Sequence, residues 1–347
     1  MRRAIELAAH GLGTTSPNPV VGCVVLDAGG RVVGEGWHER AGGLHAEVVA
    51  LAGAGAAARG GTAVVTLEPC AHVGRTGPCV EALRTAGVRR VVFAVRDPTA
   101  AGGGGHLLRE RGLDVHEGLL GREAARVNEA WLTLARTGRP HVHWKFAATL
   151  DGRSAAPDGS SRWITSAAAR ADVHLLRSRV DAIMVGVGTI LRDDPELTAR
   201  DGNGVPLARQ PLRVIVDSKG RTPSTARVLR PPGKAWIVTA AEAGAGDGGV
   251  SLSGVLEALA GRGVVSVLLE GGPRLAGGFL ATGLVDRVTT YLAPALLGAG
   301  APALDRPAVT SIGDTLRLDI DETRMIGPDI KVSGRPSPAR ASSTAQE

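Results

Sequence analysis

The sequence predicts an α/β protein with two domains. Two observations lead to this fold class: extended and helical patterns alternate along most of the chain, and the segment Thr137-Gly138-Arg139-Pro140 interrupts them near the middle. A chain of 347 residues is long enough for two buried cores. We therefore expect a first domain at residues 1–138 and a second at residues 139–334, and we expect the remaining residues 335–347 to form a disordered tail.

The first domain opens with a helical pattern and then shows extended runs separated by helical ones. Its first two strands are joined by Asp27-Ala28-Gly29-Gly30, a composition typical of hairpin turns. Periodicity predicts helices over residues 3–9, 45–57, 80–86, 107–111 and 123–135, and strands over residues 20–26, 31–36, 63–67, 90–95 and 113–116. Strands that alternate with helices in this way indicate an α/β layered sheet.

The second domain repeats the alternation. Thr165-Ser166 provides side chains that cap a helix N-terminus, which predicts a helix over residues 166–177. Strands are predicted over residues 141–148, 182–185, 212–217, 235–239, 264–270 and 285–293. Residues 240–249 are rich in Gly and Ala and are expected to form a surface loop.

Composition limits the class of protein. Aromatic residues make up 3% of the chain, so Ala, Val and Leu must build the cores. Three cysteines, an odd number, argue against a disulfide framework and for a reducing compartment. No stretch approaches the ~20 apolar residues of a membrane span, and Glu6 and His10 interrupt any signal-like apolar segment at the N-terminus. We expect a cytoplasmic protein without a membrane partner.

The charge of the chain invites comparison with nucleic-acid-binding proteins. Its net charge is +6 and its isoelectric point lies near 9.9. The excess is Arg scattered through both halves, and few aromatic side chains are present to stack on bases. We expect no nucleic-acid partner, because a modestly basic surface serves equally well for a phosphorylated small molecule.

A split metal-binding pattern is the strongest functional signal. His45-Ala46-Glu47 is followed by Pro69-Cys70 and then by Cys79. Two thiolates and one imidazole suit Zn²⁺, and three protein ligands leave a fourth position at which water ionises near pH ~7. Hydrolytic removal of an amino group from an aromatic ring also needs a carboxylate that is not a zinc ligand. Glu47 can fill this role by carrying protons from water to the ring nitrogen and the leaving amine. The order matches zinc nucleobase deaminases, in which H-x-E precedes P-C-x-x-C.

The second half of this pattern is longer than usual, because residues 71–78 separate the two cysteines. The composition of this spacer predicts a tight polar loop with one cation, Arg75. Such a loop can make contacts of its own with a substrate. Pro78 before Cys79 predicts a helix start, where a thiolate is favoured. A closed structural zinc site is the main alternative. It needs a fourth ligand, which His72 offers, but it leaves Glu47 without a purpose.

The remaining cysteine has a simpler interpretation. Cys23 lies inside the apolar run of residues 20–26, and Cys is among the most often buried residue types. We expect Cys23 to belong to the core.

Three glycine-containing segments follow predicted strands of the second domain. Glu270-Gly271-Gly272-Pro273 precedes a helix, an arrangement that presents free N–H groups to phosphate. Gly186-x-Gly188 follows another predicted strand, but Leu191 stands where the dinucleotide fingerprint has its third glycine. A Rossmann domain is therefore not expected. Ser218-Lys219-Gly220-Arg221 offers a hydroxyl and two cations to a 2′-phosphate, which favours NADP over NAD.

A set of short motifs extends along residues 1–332. They are Pro17-Asn18-Pro19-x-Val21-Gly22, His45-Ala46-Glu47, Glu68-Pro69-Cys70 with Gly74-Arg75-Thr76 and Cys79, Leu150-Asp151-Gly152, Trp163-Ile164-Thr165-Ser166, Asp193-Asp194-Pro195-x-Leu197 and Glu270-Gly271-Gly272-Pro273. In combination these motifs resemble the bifunctional riboflavin-biosynthesis deaminase–reductase family, in which the long cysteine spacing is normal.

The resemblance implies a cytidine-deaminase-like, three-layer α/β/α domain followed by a dihydrofolate-reductase-like α/β domain. The first would use Zn²⁺ to hydrolyse the 2-amino group of 2,5-diamino-6-ribosylamino-4(3H)-pyrimidinone 5′-phosphate. The second would use NADPH to reduce the ribosyl group, giving 5-amino-6-(5-phosphoribitylamino)uracil. Members of the family commonly self-associate, which implies a dimer or a tetramer.

The resemblance also implies site residues. Zinc falls on His45, Cys70 and Cys79 with Glu47 as the proton shuttle, and the deaminase substrate falls on Asn18 and Arg75. The positions that match NADPH contacts are Ala147, Trp163, Thr189, Asp193, Ser218, Gly272, Pro273, Arg274, Leu275, Ala276, Gly277 and Gly278. The positions that match contacts of the reductase substrate are Ser161, Arg177, Leu197, Arg200 and Glu270.

One step and one rival stay open at this point. Hydride delivery to the ribose C1′ needs a proton at the ring oxygen or nitrogen. Lys145, Asp151 and Glu270 are equal candidates for its source or for ordering a water. The rival class, a nucleic-acid-editing zinc deaminase, predicts a compact CxxC and no nicotinamide domain. This chain has a longer cysteine spacing and carries signals of a nicotinamide domain, so neither prediction fits it. Three departures from the family are not expected to touch the site; they are Trp131, the glycine run at residues 102–105 and the C-terminal tail.

Overall fold

The computed structural model describes residues 1–72, 77–246, 249–305 and 309–337. The chain divides into two compact units, Met1–Arg139 and Pro140–Glu347. Within the described ranges, no helix combines the length and the apolar character needed to cross a membrane.

The first unit is built on five strands and six helices in its described part. The helices are α1 (Arg2–Ala9), α2 (Ala46–Ala54), α3 (Cys79–Thr85), α4 (Gly104–Glu110), α5 (Gly121–Val127) and α6 (Glu129–Thr137), and a 3₁₀ turn spans Gly55–Ala58. The strands are β1 (Gly22–Leu26), β2 (Val32–Trp37), β3 (Thr62–Leu67), β4 (Arg90–Val95) and β5 (Asp114–Glu117). They form one sheet in the order β2-β1-β3-β4-β5, in which β3, β4 and β5 run parallel.

Helices cover both faces of this sheet. Neighbouring residues of β1 point to opposite faces: Val25 packs with Ala50 of α2 and Leu83 of α3, whereas Val24 packs with Leu7 of α1. Burying one such side chain stabilises the fold by roughly 1.5–3 kcal/mol. The predicted three-layer α/β/α arrangement is confirmed. Cys23 is fully buried in the same core, as predicted.

The single helix predicted over residues 123–135 is wrong. The structure has two helices there, α5 and α6, which meet at Asn128. The Asn128 side chain accepts a hydrogen bond from the Val20 N–H at 2.9 Å and donates one to the Val20 carbonyl at 2.6 Å. A side-chain amide that pairs with a distant backbone competes with helix continuation, and no local sequence pattern reveals that partner.

The second unit carries one large sheet in its described part. Its helices are α7 (Ala167–Ser178), α8 (Val187–Asp193), α9 (Ala240–Ala243), α10 (Leu252–Ala260) and α11 (Pro273–Ala281), and 3₁₀ turns span Arg227–Leu229 and Ile312–Asp314. Its strands are β6 (His141–Thr149), β7 (Arg153–Ala155), β8 (Ala182–Gly186), β9 (Leu212–Val216), β10 (Ala235–Val238), β11 (Ala245–Gly246), β12 (Gly249–Val250), β13 (Ser266–Leu269), β14 (Arg287–Ala293), β15 (Ala301–Pro302), β16 (Leu318–Ile326) and β17 (Asp329–Pro336).

Eight of these strands form the sheet, in the order β10-β9-β8-β13-β6-β14-β17-β16. The strands from β10 to β14 pair in parallel, and β17 and β16 continue the sheet in antiparallel fashion. On one face, Leu256 of α10 and Phe279 of α11 pack on Val267. On the other face, Val173 of α7 packs on Tyr291. The carboxyl ends of β8, β9 and β13 therefore lie along one edge.

Three expectations for the second unit need correction. The loop predicted over residues 240–249 contains helix α9, whose N-terminus is held by a capping box between Thr239 and Glu242, and the short hairpin of β11 and β12. The pair β16 and β17 was not predicted, because β16 is mostly exposed and lacks an apolar alternation. The predicted tail begins inside β17, and residues 338–347 lie outside the described ranges.

Candidate active sites

Three side chains that suit Zn²⁺ meet beyond the carboxyl end of β3. His45 Nδ1 lies 3.1 Å from Cys79 Sγ and 3.5 Å from Cys70 Sγ, and the possible ligand atoms all lie within 4.8 Å of one another. Typical zinc–ligand bond lengths place tetrahedral ligand atoms about 3.5 Å apart. The three residues therefore fit one zinc ion.

Local structure brings the three ligands together. His45 is the N-cap of α2, and Cys79 is the first residue of α3, directly after Pro78. Cys70 follows β3, and its sulfur accepts a hydrogen bond from the Cys79 backbone N–H at 3.3 Å. The prediction that Cys79 begins a helix is confirmed.

The pKa values of the two thiols are shifted in opposite directions. The Cys70 sulfur accepts hydrogen bonds from the Cys79 thiol, the His45 ring and the Cys79 backbone, and these lower the pKa of Cys70 well below its usual range. The same hydrogen bond, together with burial, raises the pKa of Cys79. A cation held between the two sulfurs would replace the shared proton.

Glu47 lies beside this cluster. It occupies the first turn of α2, is 3% exposed and lines the same cavity as His45 and Cys70. Burial raises the pKa of Glu47. A carboxyl group whose pKa is raised exchanges protons closer to neutral pH, which suits a proton shuttle.

A residue that sequence reasoning missed, His38, holds Asn18 in place. Its Nδ1 lies 2.9 Å from the Leu44 carbonyl, and its Nε2 lies 3.2 Å from the side-chain nitrogen of Asn18. Because a carbonyl only accepts, we assign the proton to Nδ1, and Nε2 then accepts from the Asn18 amide. Burial lowers the pKa of His38, which favours the neutral ring. Asn18 is left with its side-chain oxygen available to a ligand.

These residues line a cavity of about 520 Å³. Asn18, His38, His45, Glu47 and Cys70 all contribute to its wall. Trp131 lines it as well, so the expectation that this residue stays away from the site was wrong. Its position in α6 carries no signal for this role, because only the packing of α6 decides which of its faces reaches the cavity.

The glycine run at residues 102–105 also approaches the site, contrary to expectation. A Cβ on Gly104 would lie 1.8 Å from the Pro69 carbonyl oxygen, so only glycine allows α4 to pack beside Cys70. The Glu68 carboxylate strengthens this contact, because it accepts hydrogen bonds from the backbone N–H groups of Asp97 and Gly105.

Two further predicted residues of the first unit have different outcomes. Arg75 lies outside the described residues. His72 lines the cavity, but among the described residues the metal-binding group contains only His45, Cys70 and Cys79. A group of three ligands fits a site with an open coordination position better than a closed structural site.

In the second unit, a buried charge cluster follows β13. Glu270 accepts hydrogen bonds of 2.6 and 2.9 Å from Arg177 of α7, and Lys145 Nζ of β6 lies 3.9 Å from its Oε2. Burial opposes ionisation of Glu270, but the charges of Arg177 and Lys145 hold the pKa of this carboxyl at about 2. Burial lowers the pKa of Lys145. The carboxylate is therefore ionised, and the amine is a stronger acid than an ordinary lysine.

Asp151 has a different environment. It accepts hydrogen bonds from the Thr149 hydroxyl at 2.5 Å and from the backbone N–H groups of Leu297 and Gly298, which lower its pKa to about 2. This carboxylate stabilises the backbone at Leu297 and Gly298, and it is ionised near neutral pH, so it cannot donate a proton there. Of the three candidate proton sources, Lys145 alone holds a transferable proton there.

The loop after α8 joins the same region. Leu197 has φ of 54°, a left-handed value that is strained for a branched residue, and its side chain is 4% exposed. Arg177 donates to the Thr198 carbonyl, and Arg200 donates to the Thr198 hydroxyl. The predicted substrate residues Arg177, Leu197, Arg200 and Glu270 are thus brought together, whereas no described hydrogen bond joins Ser161 to them.

A second cavity, of about 700 Å³, lies at the carboxyl ends of β8, β9 and β13. Its lining includes seven of the residues predicted to hold NADPH, which are Thr189, Ser218, Gly272, Pro273, Arg274, Leu275 and Gly278. The other predicted residues do not line it: Ala276 and Gly277 are buried in the inner face of α11, and Ala147, Trp163 and Asp193 lie elsewhere. Trp163 is 69% exposed, with the Arg170 guanidinium over its ring.

The second cavity fits a phosphorylated dinucleotide. Three cations and one carboxylate line it, so its wall is positive on balance; they are Arg192, Arg221, Arg274 and Asp305. A Cβ on Gly188 would meet no atom within 4 Å, and one on Gly272 would meet only the Thr189 hydroxyl at 3.9 Å, so the backbone at both positions is open to a ligand. Gly272 is also the N-cap of α11, where backbone N–H groups favour phosphate.

Two family models match the chain. The model described as "RibD C-terminal domain" matches residues 140–332, and the model described as "Cytidine and deoxycytidylate deaminase zinc-binding region" matches residues 1–95. Among curated proteins, "Riboflavin biosynthesis protein RibD" of Mycobacterium tuberculosis is 48% identical over 96% of this chain and 95% of its own length. The protein of that name from Escherichia coli is 42% identical over 95% and 96%.

Solved structures agree. RibD of Acinetobacter baumannii is 40% identical, covers 97% of this chain and 98% of its own, and superposes with a TM-score of 0.86. A Thermotoga maritima structure described as a diaminohydroxyphosphoribosylaminopyrimidine deaminase/5-amino-6-(5-phosphoribosylamino)uracil reductase is 34% identical, covers 97% of both chains and also reaches 0.86.

Proposed function

Because the chain belongs to the RibD family of bifunctional riboflavin-biosynthesis enzymes, we propose that each of its two parts performs one of the two reactions. Residues 1–138 form the zinc-dependent deaminase, and residues 139–334 form the NADPH-dependent reductase. The substrate of the first is 2,5-diamino-6-ribosylamino-4(3H)-pyrimidinone 5′-phosphate, and the product of the second is 5-amino-6-(5-phosphoribitylamino)uracil. Similarity to the Thermotoga maritima protein supports this choice of substrate.

In the deaminase, His45, Cys70 and Cys79 hold zinc, which supplies the Lewis acidity that makes water a nucleophile near neutral pH. Glu47 takes a proton from the attacking water and passes it to the ring nitrogen, and then assists departure of the amine as ammonia. Asn18, held by His38, orients the pyrimidine through its side-chain oxygen. Arg75, which lies outside the described residues, is assigned to the substrate phosphate on family resemblance.

In the reductase, bound NADPH would supply the hydride that the ribose C1′ accepts. Lys145 delivers the proton that the ring oxygen or nitrogen needs, since Glu270 and Asp151 are held as carboxylates. Glu270, which is itself bound by Arg177, keeps the Lys145 ammonium in place from one side. Ser161, Leu197 and Arg200 complete the proposed substrate contacts.

The cofactor lies in the second cavity in this proposal. The backbone at Gly272 and the start of α11 at residues 273–275 would hold the diphosphate, with Thr189 beside them. Ala276 and Gly277, buried in the inner face of α11, remain proposed contacts on family resemblance alone. Ala147, Trp163 and Asp193, which do not line the cavity, remain proposed contacts on family resemblance alone. Ser218 and Arg221, which follow β9, would bind the 2′-phosphate of NADPH. Strand β8 separates β9 from β13, so the two phosphate-binding ends are about 10 Å apart.

The setting of the enzyme follows from the same premise. We propose a cytoplasmic protein that acts on a small phosphorylated pyrimidine, assembles as a dimer or a tetramer and has no nucleic-acid partner. The described residues contain three free cysteines, which suits a reducing compartment.

The observation that carries the proposal is the meeting of His45, Cys70 and Cys79 beside buried Glu47. The test uses the purified full chain with the diaminopyrimidine substrate, and follows ammonia release together with NADPH absorbance. Glu47→Gln is expected to keep its zinc, release no ammonia and consume no NADPH. Addition of the deaminated intermediate is expected to restore NADPH consumption, because the reductase of the same molecules is intact.

Two results would contradict the proposal. Ammonia release by Glu47→Gln at the wild-type rate would remove Glu47 from the mechanism and would favour a structural zinc site. Equal NADPH consumption by wild type and Cys70→Ser with the diaminopyrimidine substrate would show that reduction does not depend on prior deamination.

A further inference from the structure

Thr198 is the centre of a hydrogen-bond network in the second unit. Its carbonyl accepts hydrogen bonds from His174 Nδ1 and Arg177 Nη1, both on α7 and each at 3.1 Å. Its hydroxyl accepts a hydrogen bond from Arg200 Nε at 3.0 Å. Thr198 is 3% exposed, so these groups have no ready replacement in water.

The segment that carries Thr198 needs such support. Asp194 and Leu197 both have positive φ, of 37° and 54°, a left-handed conformation that residues other than glycine keep only where the surrounding structure holds them. The two donors on α7 tie the segment to the helix whose Arg177 also binds Glu270. The backbone of this loop is therefore positioned by the helix that forms the charge cluster.

The network also fixes the orientation of the Arg200 guanidinium. Nε donates to Thr198, Nη1 donates to the Gly204 carbonyl at 2.6 Å, and Nη2 pairs with Glu196. A guanidinium has five N–H groups, so one remains on each of Nη1 and Nη2. Three bonds in different directions hold the plane of the guanidinium, and the two remaining N–H groups suit a phosphate or a hydroxyl of a ligand.

We propose that Thr198 is a positioning residue for substrate in the reductase: its carbonyl docks the loop onto α7 and its hydroxyl orients Arg200 toward the phosphorylated substrate. This inference rests on the proposed function, because it takes Arg200 as a substrate contact. Thr198 itself does not touch the reacting atoms. It acts through Arg200, and this route is what the test examines.

The test compares Thr198→Val with Thr198→Ser in the full-length enzyme, using the deaminated intermediate and NADPH. Thr198→Val removes the acceptor for Arg200 Nε and is expected to raise KM for the intermediate about tenfold with kcat nearly unchanged. Thr198→Ser keeps the acceptor and is expected to stay within about twofold of wild type. Thr225→Val, at an exposed position of the same unit, serves as the matched control.

A double-mutant cycle separates positioning from general packing. If Thr198 acts through Arg200, Thr198→Val adds little to the KM of Arg200→Gln, because the oriented group is already absent. NADPH affinity, measured by nicotinamide fluorescence, and ammonia release by the first unit are expected to stay at wild-type values. Together they show that Thr198→Val is folded.

Several outcomes would overturn the inference. An unchanged KM in Thr198→Val, an equal defect in Thr198→Ser, or full additivity with Arg200→Gln would each show that the hydroxyl does not act through Arg200. A wild-type enzyme that fails to reduce the intermediate would overturn the proposed function as well, so the two failures are distinguishable.

Discussion

His45 and Cys79 are 34 residues apart in the chain, yet Nδ1 of one lies 3.1 Å from Sγ of the other. The contact exists because His45 is the N-cap of α2, Cys79 is the first residue of α3, and the two helices pack on the same face of the sheet. Cys70 reaches the same point from the end of β3. The zinc site thus belongs to the fold of the first unit, and its ligands can be tested against a cysteine of the neighbouring core.

Cys79→Ser is expected to lose zinc, because a hydroxyl is a poor substitute for a thiolate ligand. Metal analysis after dialysis should find about one zinc per chain in wild type and little in the variant. Cys23→Ala is the matched control, since Cys23 is fully buried in the core and is not among the proposed ligands. Equal zinc loss in both variants would point to unfolding in place of ligand removal.

Gly104→Ala is expected to damage deamination without touching reduction. Its Cβ would lie 1.8 Å from the Pro69 carbonyl oxygen, so α4 must move away from the Cys70 loop at a cost of about 1–3 kcal/mol. Thermal unfolding and ammonia release measure the effect. Gly53→Ala in α2 meets nothing nearer than 3.9 Å and should stabilise by about 0.5–1 kcal/mol. Equal stability of the two variants would contradict the close approach of Gly104.

Reduction is expected to depend on pH through Lys145. A proton donor must be protonated, so kcat falls as pH rises through the Lys145 pKa. Burial lowers this pKa, so the fall lies below pH ~10.4, the value of an ordinary lysine. Lys145→Met should lose about 100-fold or more of kcat and the alkaline fall with it. NADPH oxidation measured with the deaminated intermediate from about pH 6 to pH 10 provides the profile.

Ammonia release by the same Lys145→Met preparation is the internal control and should be unchanged. A variant that retains the alkaline fall would assign the titration to another group. A variant with wild-type kcat would remove Lys145 from the proton-transfer step.

Arg221→Gln is expected to weaken NADPH binding about tenfold while leaving NADH binding nearly unchanged, because only NADPH carries the 2′-phosphate. Fluorescence titration of both nucleotides measures the ratio. Lys219→Gln is the matched control: the sequence offered both cations, but Arg221 lines the cavity and Lys219 does not. An equal loss of NADPH and NADH affinity would place Arg221 elsewhere on the cofactor, and a larger effect of Lys219→Gln would reverse the assignment.

Much of the fold followed from local patterns. The strand over residues 90–95 was predicted with its observed bounds, and Ser166 caps α7 by accepting a hydrogen bond from the Ala169 N–H as its side chain indicated. Local chemistry decides such features. The break at Asn128 could not be predicted, because it depends on a backbone partner at Val20.

The order of His45, Glu47, Cys70 and Cys79 was sufficient to predict a zinc deaminase, because metal chemistry restricts which residue types can serve and where a proton shuttle must lie. The sequence alone left Lys145, Asp151 and Glu270 equal as proton sources. Tertiary structure separated them, because pKa depends on burial and on charges that reach a group from other strands and helices. The roles of His38, Trp131 and Thr198 likewise arise only from contacts between segments that are distant in the chain.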